Sequence, residues 1–160
     1  MSVLQTVAGG LVGTLALTSV LRAATELHLT RIDLPFLLGT AVTDNRTEAK
    51  AIGYALHLLF GQLFALVYLA LFAALGRHDW WLGALLGAGH GVFAGTVLIN
   101  VLLPLVHPRM GSEMSDATEV SLIEAPGFLG LNYGPQTASV GLLAHVLYGV
   151  TLALFAGGPG

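Results

Sequence analysis

Residues 51–75 read AIGYALHLLFGQLFALVYLALFAAL, and residues 138–156 read ASVGLLAHVLYGVTLALFA. Neither stretch contains Asp, Glu, Lys or Arg. About 18 or more mostly apolar residues suffice for a helix to cross the roughly 30 Å hydrocarbon core of a bilayer. Each stretch holds a histidine between two glycines at a spacing of four: Gly53, His57 and Gly61 in the first, Gly141, His145 and Gly149 in the second. On a helix those positions stack along one face. Each imidazole therefore lies between two notches where a neighbouring backbone can come close.

Residues 3–21 and 81–106 are apolar to the same degree, which makes four spans. Only two connecting segments of any length remain. The fold expected is all-α: a polytopic membrane four-helix bundle forming one transmembrane domain over residues 1–160. Composition agrees, with 55% hydrophobic and 9% charged residues, against about 25% charged in soluble domains. Mean hydropathy is +0.81. Six basic residues and a net charge of −3 provide no nucleic-acid footprint. The absence of cysteine excludes disulfides and thiolate metal sites. No Lys or Arg precedes the first apolar run and Arg22 follows it, so that run reads as a retained span rather than a signal peptide.

Basic residues set the expected orientation. The connections after the first and third spans hold Arg22, Arg31, Arg46, Lys50 and Arg109, while the opposite side holds Arg77 and both termini. The positive-inside rule then places those two connections in the cytoplasm and both termini outside it. Within the first connection, residues 33–39 read as a short interfacial helix, with Asp33 as cap, Pro35 in its first turn and Gly39 at its end. Asn45, followed three residues later by Glu48, opens the second span. Gly76-Arg77-His78-Asp79 is a tight hairpin, and Trp80 and Trp81 mark the membrane interface. Pro135 is placed to begin the fourth span, and Glu113, Asp116 and Glu119 read as a solvated acidic loop.

The two halves match in order. Gly9, Gly13 and Thr14 pair with Gly91, Gly95 and Thr96; Asp33, Pro35, Leu38 and Gly39 with Glu124, Pro126, Leu129 and Gly130; and the two glycine–histidine motifs with each other. This pattern predicts two tandem two-helix repeats, residues 1–76 and 80–160. Because each repeat has two spans, both insert the same way, in parallel orientation about an axis along the membrane normal. His57 and His145 would then lie at equal depth, with Asp33 and Glu124 on equivalent short segments beneath them.

Three readings of that foursome stay open. The imidazoles could bond across to a carbonyl or to Thr14 and Thr96 as packing glue. Metal could be held by His57, His145, Asp33 and Glu124, or haem b by His57 and His145 as axial ligands. His90, whose repeat counterpart is Ala8, reads as a packing histidine. No Ser-His-Asp order, phosphate loop or zinc-protease helix appears, so the leading expectation is a non-enzymatic membrane component, structural or complex-forming. The alternative is a small metal or proton carrier or a redox module. Besides the lipid bilayer, the expected partner is a second copy, docked through the ladder of Gly83, Gly87, Gly91 and Gly95.

The stretches His107-Pro108-Arg109-Met110-Gly111 and Glu124 through Gly134, with Trp80-Trp81-Leu82-Gly83-Ala84 ahead of them, resemble a family of small four-span bacterial inner-membrane proteins of unassigned function. That resemblance implies a prokaryotic plasma-membrane location and four spans, and no catalytic residues.

Overall fold

The computed structural model describes residues 2–111 and 123–157 and is mostly helical. Glu113, Asp116 and Glu119 lie outside the described residues. Among the described residues four helices are long and apolar enough to cross a membrane: Val3–Glu26, Arg46–Leu75, Trp80–Val106 and Thr137–Ala156. The first, α1, is capped by Ser2 and runs on past the apolar span through Arg22 to Glu26. Next, α2 (Leu34–Thr40) starts where Asp33 accepts a hydrogen bond from the Phe36 amide at 3.1 Å. Asn45 caps α3 (Arg46–Leu75) by accepting from Thr47 and Glu48. That helix ends at Gly76, whose left-handed φ of 61° turns the chain into the hairpin.

The third span is not one regular helix. It begins as α4 (Trp80–Phe93), widens into a π-helix over Ala94–Leu102 and finishes as α5 (Leu103–Val106). Pro104 has no amide hydrogen to give, and its ring crowds the carbonyl four residues back. Upstream of it, the Leu103 amide reaches past the α-helical partner to the Leu98 carbonyl. Such π segments are uncommon and recur at functional positions. A two-residue parallel pairing of β1 (Met110–Gly111) with β2 (Ile123–Glu124) and a 3-10 stretch, Phe128–Tyr133, lead to α6 (Thr137–Ala156). Pro135 precedes that helix by two residues.

Glycine decides which helices meet. α6 packs against α4 on one flank and α1 on the other, while α1 packs in turn on α3. A methyl group on Gly83 would fall 2.7 Å from Ala153 Cβ, and one on Gly87 would fall 2.8 Å from Val146 Cα. The ladder from Gly83 to Gly95 is therefore buried within the chain, against α6 and Leu129, rather than held open for a second copy. This corrects the expectation of a dimer through that face. The ladder's small residues let two backbones of one molecule touch, which is what such stripes do in lipid.

The same device seats α2 on α3. A Cβ on Gly39 would meet the Ala49 backbone, with Cα at 2.8 Å, and one on Gly53 would lie 2.5 Å from the Pro35 carbonyl carbon. Gly141, matched to Gly53 in the sequence repeat, has open space where a Cβ would be. Asp33 caps an α-helix, whereas Glu124, its match, lies in β2 ahead of the 3-10 stretch. The two halves are thus not packed alike. α1 lies along α6, yet the corresponding pair, α3 and α4, scarcely meet by backbone.

Candidate functional site

Because α3 and the third span splay apart, a cavity of about 530 Å³ opens between them, backed by α1 and α6. Apolar side chains make nearly all of its wall, including Leu17, Phe64, Leu98 and Ile99. The π-helical stretch supplies one side, and Leu129 closes part of the α2 end. Leu129 is held at φ 53°, a conformation costing a non-glycine residue about 1–2 kcal/mol. There its side chain fills the notch at Gly95, 2.8 Å from where a Cβ would stand.

The polar atoms on this wall are few. They come from Thr14, Thr137, Tyr148 and three histidines: His57, His90 and His145. No Asp, Glu, Lys or Arg lines the cavity among the described residues.

Each of two rings has its tautomer fixed by its neighbours. Thr18 donates its only hydroxyl proton to the Thr14 carbonyl at 2.7 Å. Its oxygen can therefore only accept from His57 Nδ1, 3.3 Å away. His145 Nδ1 lies 2.7 Å from the Gly141 carbonyl oxygen, which can only accept. With each ring neutral, as a charge inside the bilayer is expensive, both carry hydrogen on Nδ1 and a lone pair on Nε2. Among the described residues neither Nε2 has a partner, and neither is sealed from the cavity by protein.

His90 completes the group. Its ring lies 4.0 Å from Phe64 and 4.7 Å from His145, centroid to centroid. Its Nδ1 is buried without a partner among the described residues, and so is the hydroxyl of neighbouring Tyr68. Tyr148 is better placed, donating to the Gly61 carbonyl at 2.5 Å and so tying α6 to α3 across the cavity's back wall. Thr14 fills the notch at Gly61 from α1.

Of the expected foursome, His57 and His145 line one cavity, and Asp33 and Glu124 do not. Asp33 caps α2, while exposed Glu124 pairs with Arg31 at 3.3 Å. Among the described residues no three histidine or carboxylate side chains gather as a metal site would need. The hydrogen bonds also differ from expectation: His57 takes Thr18 rather than Thr14, and His145 turns back on its own helix. His90 joins the site although its lack of a repeat partner pointed elsewhere. Its place in the glycine ladder, directly before Gly91, was the available signal.

A fourth histidine serves the α2 end instead. Buried His107 sets Nε2 3.2 Å from the Leu37 carbonyl and 3.2 Å from the Thr40 hydroxyl, and Nδ1 accepts from the Arg109 amide at 3.1 Å. Arg109 also donates to the Thr40 carbonyl. Burial lowers the proton affinity of His107, the bond to Leu37 opposes that, and the Arg109 charge lowers it further. Nearby, Thr30 bonds Thr137 at 2.6 Å and the Arg31 amide donates to Tyr133 at 2.8 Å, so the two connecting segments interlock.

No family model, curated protein or solved structure matches the chain.

Proposed function

We propose that this chain is a non-enzymatic, multi-pass membrane component that holds an apolar small molecule inside the bilayer, in the cavity between α3 and the third span. One observation supports this reading above the others: an apolar chamber of about 530 Å³ with a few convergent imidazoles. Ligand cavities run from about 300 to 1,000 Å³, with mainly apolar walls and a small number of orienting polar groups. The resemblance to small four-span bacterial proteins supports a prokaryotic inner membrane as its location. Arg22, Arg31, Arg46, Lys50 and Arg109 around the α2 end support a cytoplasmic position for that end, with both termini opposite. The ordered match of glycine, acid, proline and histidine supports descent from a duplicated hairpin whose copies have diverged in packing.

Gly141 offers a direct test, since a side chain there would enter open space rather than protein. Gly141→Leu should push an isobutyl group into the chamber and leave the fold intact. Full-length protein in lipid nanodiscs should bind the apolar dye N-phenyl-1-naphthylamine saturably, one per chain, and the variant should bind it more weakly. Equal, non-saturating uptake by both would mean the cavity is not a binding site.

A further inference from the structure

Resting on that reading, we infer that the ligand is a neutral, hydroxyl-bearing, long-chain molecule that enters sideways from the lipid and donates its hydrogen bond to His57 or His145.

Three features of the site converge on this class. The first is the tautomers: Thr18 and the Gly141 carbonyl occupy the Nδ1 protons, so both free Nε2 atoms present lone pairs. A ligand that only accepts hydrogen bonds gains nothing from them, whereas a hydroxyl does. The second is charge. A haem brings carboxylates, and among the described residues no Lys or Arg lines the cavity to meet them. A divalent metal would bring positive charge where no carboxylate lines the wall to offset it. A neutral head group avoids both penalties.

The third feature is the mouth. Phe60, Leu63 and Val67 on α3 and Leu102 and Val106 on the third span line the cavity, yet all five are exposed on the apolar outside of the helices. Val106 is 70% exposed and Leu63 50%. The opening therefore faces hydrocarbon, and a chain longer than the cavity can trail out through it. His57 lies three residues from Phe60 and six from Leu63 on the same helix, which places a head group at the imidazole within reach of the rim.

The test uses full-length protein in nanodiscs and two probes, geranylgeraniol and its methyl ether, which differ in the ability to donate a hydrogen bond. The alcohol should bind about 3- to 20-fold more tightly than the ether, the range set by one hydrogen bond in a membrane. His57→Phe combined with His145→Phe should erase that preference, and Gln at both positions, which restores an acceptor, should recover part of it. Equal binding of alcohol and ether by the unaltered protein would overturn the hydroxyl assignment while leaving the cavity a binding site. Failure of both probes and of the dye would remove the cavity reading itself. A Soret band or stoichiometric transition metal in freshly purified protein would also overturn the assignment, because the lone pairs would then serve a Lewis acid. The comparison of probes needs no variant, so it stands even where a substitution disturbs folding.

Discussion

Replacing Gly53 and Gly141 by alanine, one at a time, separates sequence equivalence from structural equivalence. Both glycines sit four residues before a histidine inside a span, so alanine gains about the same helix propensity at each, roughly 1 kcal/mol. That gain cancels in the comparison. At Gly53 the new methyl would stand 2.5 Å from the Pro35 carbonyl carbon, against an ordinary carbon–carbon approach of about 3.5 Å. The Pro35 carbonyl oxygen stands closer still, so α2 must retreat by more than that carbon shortfall alone. The obstructing atoms are backbone, so no rotamer change relieves them. Overpacking of this kind costs about 1–3 kcal/mol, and a backbone obstruction belongs near the upper end. At Gly141 the methyl meets nothing within 4 Å. The expected outcome is a gap of about 3 kcal/mol between the variants, two orders of magnitude in the unfolding equilibrium. Gly53→Ala should be the weaker protein and Gly141→Ala no weaker than the parent. Equilibrium unfolding in mixed detergent–SDS micelles, followed by circular dichroism, measures it. Equal losses at both positions would refute the unequal packing described for the two halves.

Four other outcomes are expected. Tyr148→Phe, which removes the bond to the Gly61 carbonyl, should cost about 0.6 kcal/mol and no more than about 1.7 in the same unfolding assay. Gly87→Ala should destabilise by about 1–3 kcal/mol without changing the oligomeric state seen by light scattering; a changed oligomer with unchanged stability would return the ladder to an interface between copies. Asp33→Ala should cost about 1 kcal/mol through loss of the cap and speed amide exchange over residues 34–40, leaving metal content untouched. Finally, His107 binds protons less readily in the folded chain than at its ordinary value of 6.5. The unfolded α2 end therefore takes up the extra proton, so its stability is full above about pH 6.5 and falls as the pH drops below it. Exchange protection of Leu37–Thr40, corrected for intrinsic rates, should fall from pH 7.5 to pH 5, and protection independent of pH would count against a buried neutral ring.

Length and apolar composition determined the four helices, because a bilayer leaves a buried backbone few other ways to satisfy its hydrogen bonds. Asp33, Asn45 and Gly76 marked their caps and turn correctly, since capping depends on residues within one turn of each other. Spacing likewise identified Gly53 and the Gly83–Gly95 ladder as close-contact positions. Which backbone each would contact was another matter. Notches carry no address, and only the assembled helices put the ladder on α6 and Gly53 on α2 while leaving Gly141 vacant. The candidate site divides the same way. His57 and His145 stood out as polar side chains in apolar runs, and the Nδ1–H tautomer of His145 comes from Gly141 one turn back, but the inclusion of His90, the omission of Asp33 and Glu124 and the tautomer of His57 depend on contacts between segments distant in sequence. The splay of α3 from the third span, which makes the cavity, follows from where the glycines allow close approach and where they do not; that is a property of pairs of surfaces, decided only when the chain is folded.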